Sequence, residues 1–353
     1  MSLSGMHVKA EKNLFHHSTG SSLAPPRVAL HEKCEKGENV RVLERISFTV
    51  TKANEWVAEA LNDSNACVRI RTLMNKDEET HEDEQLDVVL LAVKAYDSAA
   101  VVSELQQTHA HLFRKDAFFI LLQNGLGELP ADLQSSADQE QKPSWRFAHG
   151  VTYVGGRVMS TGNVLVSGIE SGTTYIAPVA GTSSNCDDTD DRIDLLGQVL
   201  TAAGLRWQRL SAAEMKAMLW KKLIVNAGIN PIASILNAPN QSVGACDWSR
   251  DLVKAVVHEA YQVAEKEKIT LNCTEEELRQ DVLQVAVNTG TNICSMLADL
   301  RNGSRTEIDA ITGKIVAFGR THGVPTPTNE WLVQRIKELE SLQQRDALPR
   351  KQS

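Results

Sequence analysis

The apolar residues of this chain follow one kind of spacing before about Ser211 and another kind after it. From Ser211 onward they recur every three or four residues, which is the spacing of helices with one buried face. Before that point they form short continuous runs of strand length. The later part, residues 210–345, is therefore predicted to be an all-α helical bundle. Its predicted helices are Ser211–Leu236, Ser249–Ile269, Thr274–Arg301, Thr306–Thr321 and Thr328–Leu342.

The earlier part alternates strand and helix patterns. Two apolar runs, Leu86–Val93 and Ala117–Leu122, flank a helical pattern at Ala95–Gln107, which predicts parallel strands joined by a right-handed crossover. Residues 148–178 predict antiparallel strands with a hairpin near Ser160–Asn163. We therefore expect an α/β domain over residues 38–209, preceded by a disordered leader over residues 1–37. Upstream elements are also predicted, namely strands Val40–Val50 and Val68–Leu73 and a helix at Ala53–Leu61.

Composition excludes several functional classes. The 353 residues exceed the roughly 250–300 at which a single core usually divides, so two domains are expected. A net charge of −8 argues against a nucleic-acid partner. The absence of a signal peptide and of an apolar run near the roughly 20 residues that span a bilayer indicates a cytosolic protein without a membrane partner. Six cysteines without a C-x-x-C pair, and an acidic run at Asp77–Glu84 that is typical of a solvated loop, indicate no metal site.

The most informative segment for function lies in the first predicted helix of the bundle. Leu219–Asn240 is largely apolar but carries several polar side chains, and each costs on the order of 1–3 kcal/mol if it is buried unpaired. Lys222, Asn226 and Asn230 are spaced four residues apart, so at about 100° per residue they form one stripe along the helix. This stripe is a candidate ligand site. The alternative is that the two asparagines only join helices.

The end of this segment adds to the stripe. Pro231 removes a backbone donor and predicts a kink beside Asn230, where polar backbone groups would face a ligand. Asn240 follows in a loop that could bring its amide to the same place.

Two further polar residues follow the predicted parallel strands. Lys94 comes directly after the first apolar run, and Asn124 follows the second in the sequence Q-N-G-L-G. Because ligands of parallel sheets bind at the carboxyl ends of the strands, both residues are candidates for a site. Taken alone, each could instead be a solvated charge or a simple turn.

A last pair of candidates, Ser295 and Glu307, lies in the segment S-M-L-A-D-L-R-N-G-S-R-T-E-I-D. The turn signal Asn302-Gly303 between them allows the two to converge if the chain bends there. The neighbouring charges Arg301, Arg305 and Asp309 suit a solvent-facing ion-pair cluster equally well.

A lysine beside carboxamides suits the reduction of a carbonyl group. The oxygen of a carbonyl that accepts hydride gains negative charge, and an ammonium can stabilise this charge and then give up its proton. Asparagines orient hydroxyl and carboxylate groups without exchanging protons. A carboxylate such as Glu307 could hold a substrate hydroxyl or a cofactor amide.

Four motifs together resemble the ketopantoate reductase (2-dehydropantoate 2-reductase) family. They are V-K-A-Y at 93–96, L-Q-N-G-L-G at 122–127, L-W-K-K-L-I-V-N-A-G-I-N-P at 219–231 and S-M-L-A-D-L-R-N-G-S-R-T-E-I-D at 295–309. The resemblance implies an NADPH-dependent oxidoreductase of pantothenate synthesis that acts on ketopantoate. The implied fold is a Rossmann-like α/β domain followed by a helical domain, and a homodimer is one implied assembly.

The resemblance also implies a role for each candidate. Lys222 would donate the proton to the forming alkoxide. Glu307 would contact the cofactor. The implied substrate ligands are Asn124, Asn226, Asn230, Asn240 and Ser295, while Lys94 and Asn124 would lie where cofactor and substrate meet.

The chain departs from the family at its start. Members carry a G-x-G-x-x-G or G-x-G-x-x-A turn for the pyrophosphate, whereas the glycines before Gly125 here are Gly5, Gly20 and Gly37. The first βαβ unit is therefore expected to be incomplete or degenerate. No motif identifies the basic residue that selects the 2′-phosphate in the family, and Arg41 and Arg45 are the alternatives for it. Either the gene start is misassigned, or the turn is lost and the protein is a catalytically silent binding or assembly protein. A third interpretation is a reductase of another branched 2-oxo acid.

Overall fold

A computed structural model describes residues 7–10, 85–126, 145–160, 163–167, 172–179 and 191–347. The described residues form two compact units. The first holds the residues up to 215 except 94–96 and 124–126, and these two short segments belong with residues 216–347 to the second unit. The predicted boundary at residue 209/210 thus lies six residues from the observed division, and the other predicted domain limits stay predictions.

The first unit is built on a five-stranded mixed sheet of order β2-β3-β4-β7-β8. Strands β2, β3 and β4 are parallel, β7 is antiparallel to β4, and β8 is parallel to β7. A second sheet has the order β1-β6-β5. The strands are β1 (His7–Ala10), β2 (Leu86–Leu91), β3 (Phe113–Leu121), β4 (Arg146–Thr152), β5 (Gly155–Ser160), β6 (Asn163–Ser167), β7 (Thr173–Pro178) and β8 (Arg206–Arg209).

Two helices accompany these sheets, α1 (Ser98–Thr108) and α2 (Asp191–Ala202), with short 3-10 turns at Ala95–Asp97 and Ala110–Leu112. Strand β3 is apolar on both faces, and its residues Phe119 and Ile120 belong to two separate buried clusters. A central strand that is buried on both faces is typical of a parallel sheet with covered faces.

The predicted strand, helix and strand from residue 86 to 122 are confirmed as β2, α1 and β3, and β2 and β3 are parallel. The predicted hairpin is confirmed as the antiparallel pair β5 and β6. Helix α2 and strand β8 were not predicted. Within the predicted leader, His7–Ala10 forms a strand that pairs with β6. The upstream elements predicted at Val40–Val50, Ala53–Leu61 and Val68–Leu73 lie outside the described residues.

The second unit is helical, as predicted. Its helices are α3 (Ala212–Ile235, whose first four residues belong to the first unit), α4 (Asp247–Lys266), α5 (Glu275–Asn288), α6 (Ser295–Arg301), α7 (Thr312–His322) and α8 (Pro327–Ala347), with a 3-10 turn at Asn240–Gly244. Their apolar faces enclose one core in which Ile224, Val256 and Ile315 are fully buried. Among the described helices, none is long and apolar enough to span a membrane. The described residues also contain no His, Cys, Asp and Glu group suited to a metal ion.

Two helix predictions in this unit are wrong at their limits. The single helix predicted over Thr274–Arg301 is two helices, because the chain turns at residues 289–294, where the Gly290 N–H bonds to the Val287 carbonyl. The helix predicted from Thr306 begins only at Thr312, since residues 306–311 form turns in which the Glu307 carbonyl accepts from the N–H groups of Ala310 and Ile311. Helix α3 continues as an α-helix through Pro231, and the kink expected there stays a prediction.

Candidate functional site

The polar stripe predicted in Leu219–Asn240 lies on helix α3, within the second unit. Lys222 and Asn226 are partly buried and Asn230 is buried. The remaining faces of this part of the helix are apolar and belong to the core of the unit, with Leu223 and Ile224 almost fully buried. The helix is therefore fixed by its apolar residues, and the stripe is held in one orientation.

Glu307 is the centre of the site's charged groups. Its side chain is only 5% exposed. One carboxylate oxygen, Oε1, accepts the backbone N–H of Ala95 at 3.1 Å, while Oε2 lies 3.6 Å from the Lys94 ammonium. Glu307 also acts electrostatically on Lys222. Glu307 thus lies beside Lys94 and acts through its charge on Lys222, although the three residues lie in distant parts of the sequence.

Asp299 is a member of this cluster that the sequence did not single out. Lys94 Nζ donates to Asp299 Oδ2 at 2.6 Å, a short charge-assisted hydrogen bond. Asp299 lies on α6 four residues after Ser295, so the two side chains share one face of that helix. This i, i+4 spacing is the signal that could have drawn attention to it.

The pKa values of Lys94 and Lys222 are shifted in opposite directions. Burial lowers the pKa of Lys222, and the charge of Glu307 offsets only part of this effect, so its pKa lies below the ordinary lysine value. Burial acts in the same direction on Lys94, but the bond to Asp299 and the charge of Glu307 outweigh it and raise the pKa of Lys94. Burial also raises the pKa of Asp299, and its bond to Lys94 reduces that shift. Lys222 is therefore the lysine better suited to give up a proton.

Asn124 lies in a tight loop attached to the Glu307 segment. The next residue, Gly125, has a φ of +75°, and a Cβ atom there would lie 2.3 Å from the carbonyl oxygen of Ala310. The N–H of Leu126 donates to the same carbonyl at 3.0 Å. Glycine is required at this position because both the backbone conformation and the close approach exclude a side chain. The loop therefore places Asn124 beside residues 307–310.

The remaining candidates surround the start of α6. The Cys294 thiol, at the N-cap of α6, donates to the carbonyl of Asn230 at 3.6 Å, so Asn230 adjoins the exposed Ser295. Asn240 is buried, and its amide donates to Thr289 Oγ1 at 2.9 Å. The Asn240 N–H donates to the carbonyl of Asn292. These contacts place Asn240 beside the segment that leads into α6.

The neighbouring charges form structural contacts. Arg305 stacks over the Tyr96 ring with 4.4 Å to its centroid and lies 3.5 Å from Asp309, which also pairs with Lys337 at 2.7 Å. Arg301 donates to the Asn237 side chain and carbonyl instead of joining an ion pair with Asp309. The cluster interpretation thus fits Arg305 and Asp309.

An acidic and basic cluster beside an amide stripe can bind a small polar molecule and transfer one proton to it. Lys222 is partly buried, has a lowered pKa and adjoins amides on its own helix. This is the arrangement expected for a general acid acting on a carbonyl oxygen.

Comparison with known proteins agrees with this chemistry. The family model for the C-terminal part of ketopantoate reductase PanE/ApbA matches residues 214–340, and the model for ketopantoate reductase PanE/ApbA matches residues 35–181. The 2-dehydropantoate 2-reductase of Vibrio cholerae serotype O1 is 31% identical over 72% of this chain and 78% of its own length. The chain belongs to the ketopantoate reductase family. The 2-dehydropantoate 2-reductase of Archaeoglobus fulgidus, at 29% identity, covers 74% of this chain and 79% of its own length.

Solved structures of similar proteins establish the fold of this chain. The crystal structure of a ketopantoate reductase of this family from Ralstonia eutropha has a TM-score of 0.59 at 24% identity, covering 73% of this chain and 77% of that one. D-mandelate dehydrogenase with NADH and anilino(oxo)acetate has a TM-score of 0.61 at 23% identity, covering 75% and 79%. The expected α/β Rossmann-like domain followed by a helical domain is confirmed, as is the expected oxidoreductase family. The roles of the individual site residues stay predictions.

Proposed function

We propose that this chain is a 2-dehydropantoate 2-reductase that uses NADPH, with Lys222 as the proton donor. The observation that carries the proposal is the partly buried Lys222 ammonium, whose pKa is lowered and which faces the charge of Glu307. The relatives named 2-dehydropantoate 2-reductase support the substrate. Membership of a reductase family supports a nicotinamide cofactor. That this cofactor is the phosphorylated form, NADPH, is the more specific part of the proposal.

The residues of the second unit fit part of a nicotinamide nucleotide. Lys94, Asn124 and Glu307 supply an ammonium, an amide and a carboxylate to one locality, and these groups suit ribose hydroxyls and a carboxamide. These three residues would hold the nicotinamide end of the cofactor. When bound, the reduced cofactor supplies a hydride to the ketone carbon of the substrate.

The chain's own residues would carry out the rest of the reduction. Asn226, Asn230, Asn240 and Ser295 would orient the carboxylate and hydroxyl groups of the substrate. The Lys222 ammonium would stabilise the negative charge that develops on the ketone oxygen and then donate its proton to form the 2-hydroxy product. The resulting neutral amine would take up a proton from solvent. Glu307 would keep Lys222 positively charged before the transfer.

A direct assay tests this function. Purified protein with 2-dehydropantoate is expected to oxidise NADPH, followed by the loss of absorbance at the nicotinamide band, and to yield pantoate. No substrate-dependent oxidation at saturating NADPH would contradict the proposal. The alternative is a reductase of another branched 2-oxo acid, and a panel of such acids tests it. That alternative requires one of them to be reduced with a higher kcat/KM than 2-dehydropantoate.

A second candidate function follows from the missing glycine turn. Because no G-x-G-x-x-G motif precedes Gly125, the second candidate is a silent family member that serves in binding or assembly. Calorimetry discriminates the two, since measurable NADPH binding argues against a silent protein.

Two further properties belong to the proposal. A homodimer is supported by a dimeric ketopantoate reductase from Staphylococcus aureus among the structures of the same fold, and sedimentation would give twice the 38.8 kDa mass of one chain. A cytosolic location is also proposed, and imaging of a tagged chain in its native cell tests it.

A further inference from the structure

Two carboxylates from different segments hold the Lys94 ammonium, and they do so unequally. Asp299 Oδ2 lies 2.6 Å from Lys94 Nζ, whereas Glu307 Oε2 lies 3.6 Å away. The first distance is that of a charge-assisted hydrogen bond and the second is too long for one. Asp299 therefore holds Lys94 by a direct bond, while Glu307 contributes its charge and directs its other oxygen to the N–H of Ala95.

The four charged groups form a neutral cluster. Asp299 and Glu307 supply two negative charges, and Lys94 and Lys222 supply two positive charges. If Asp299 lost its charge, the cluster would carry a net positive charge, and Lys94 would have Glu307 as its remaining carboxylate among these groups. Both ammonium groups would then depend on the one negative charge of Glu307, and the positive charge of Lys94 would disfavour the protonated form of Lys222.

We infer that Asp299 is a positioning residue for the reduction, which neutralises Lys94 so that the charge of Glu307 keeps the Lys222 ammonium protonated. This inference rests on the proposed function. Asp299 acts through Lys94 and Glu307 and need not touch the substrate.

Other charged groups also face this cluster and must be held constant. Tyr96 acts on Lys94 from its own segment, and Glu340 on α8 acts on Asp299 while it accepts the N–H of Thr306 at 2.7 Å. Lys222 faces Glu307 from α3. None of these side chains is altered by a substitution at Asp299, so a change in titration would report the loss of the Asp299 charge.

The test compares Asp299→Asn with Asp299→Glu, with Asp281→Asn as a matched control at an exposed site on α5. The readouts are kcat, KM, the pH profile of kcat/KM and the titration of Lys222, followed by NMR of protein with 13Cε-labelled lysine and assigned with Lys222→Arg. Asp299→Asn should lower kcat about tenfold, the order expected for one lost charge-assisted hydrogen bond. It should also move both the basic limb and the Lys222 titration about half a unit to one unit lower in pH.

The conservative Asp299→Glu should restore both readouts toward the wild-type values, and Asp281→Asn should leave them unchanged. If Asp299→Asn lowers kcat but leaves the Lys222 titration where it is in the wild type, the inference is overturned. Should Asp299→Asn fail to fold, Lys94→Met tests the inference instead. It leaves the cluster with a net negative charge and must raise the pH at which Lys222 titrates. An unchanged or lowered pH of titration overturns the inference.

The NMR titration needs no turnover. If the wild-type protein reduces no 2-dehydropantoate, the proposed function fails, whereas the coupling of Asp299 to Lys222 is still decided by the titration.

Discussion

At the scale of single residues, Lys222 carries the most specific expectation. A proton donor must be able to lose its proton, and arginine keeps the positive charge but does not deprotonate in proteins. Lys222→Arg should therefore lower kcat by roughly 10²–10⁴, the usual contribution of general acid catalysis, with little change in NADPH affinity. Steady-state kinetics and calorimetry measure the two quantities.

The neighbouring lysine gives the control for this substitution. Lys221 is one residue away but acts electrostatically on Glu277 of α5. Lys221→Arg should leave kcat within about twofold, the range of ordinary surface changes. Equal activity of Lys222→Arg and wild type would remove Lys222 from the mechanism.

The pH dependence of the reaction follows from the surroundings of Lys222. Burial lowers its pKa and the charge of Glu307 raises it, so removing that charge should lower the pKa further. The reaction needs the protonated form, and kcat/KM should fall as pH rises through this pKa. Glu307→Gln keeps an oxygen for the Ala95 N–H, and its basic limb should lie at lower pH than that of the wild type. Glu276→Gln, on the exposed side of α5, should show the wild-type profile, and an upward shift in Glu307→Gln would refute the electrostatic assignment.

The sequence predicted those site residues that repeat along one helix or follow a strand. Lys222, Asn226 and Asn230 are visible because four-residue spacing in an apolar segment is a local pattern. The four-residue spacing from Ser295 marks Asp299 as a candidate, but its pairing with Lys94 is not visible in this way, since Lys94 is 205 positions away and the contact depends on the folded chain. Long-range ion pairs have no period that a single sequence can show.

At the scale of secondary structure elements, helix α8 depends on a carboxylate from another helix. Glu259 of α4 is 6% exposed and accepts the N–H groups of Thr328 and Asn329 at 2.8 and 3.0 Å, together with the Asn329 side-chain amide at 2.8 Å. A carboxylate satisfies unpaired N–H groups in the first turn of a helix and interacts favourably with its dipole. Glu259 thus caps the N-terminus of α8 from a neighbouring helix of the same chain.

Removing this charge should destabilise the helical unit. Glu259→Gln replaces one accepting oxygen by a donor, and we expect the free energy of unfolding to fall by about 1–3 kcal/mol. Urea unfolding followed by circular dichroism measures it, with the exposed Glu265→Gln on the same helix as the control. If both variants unfold at the same urea concentration, the carboxylate does not stabilise α8.

Helix limits show why sequence reasoning failed in part at this scale. The apolar period continues from Thr274 to Arg301, but the local sequence T-G-T-N at 289–292 turns the chain and lets Cys294 cap a new helix. Residues 306–311 also suit a helix by period, yet Glu307 is engaged by the N–H of Ala95 from a distant segment. A local turn therefore sets the first limit and a tertiary contact sets the second, and the apolar period shows neither of them.

At the scale of the whole molecule, all candidate catalytic and substrate residues belong to one of the two compact units. Lys94, Asn124, Lys222, Ser295 and Glu307 all lie in the second unit, although Lys94 and Asn124 follow strands of the first in sequence. In the family, the glycine turn that holds the pyrophosphate belongs to the α/β domain, and the sequence before Gly125 contains no G-x-G-x-x-G motif. A change in cofactor binding and a change in chemistry are therefore separable.

This separation predicts where any loss of efficiency should appear. Since the proton donor and its partners are intact, kcat at saturating NADPH should lie in the ordinary range of about 1–10³ s⁻¹. Two lost hydrogen bonds from backbone N–H groups to the pyrophosphate, at about 1.5 kcal/mol each, would raise the KM for NADPH by roughly 100-fold. Kinetics with NADPH varied into the millimolar range measure both constants, and calorimetry gives the Kd independently.

NADH serves as the comparison. Both cofactors share the pyrophosphate, so the binding of both should be weakened alike. A low KM for NADPH would show that other residues replace the turn, whereas a low kcat at saturation would place the defect in the Lys222 cluster.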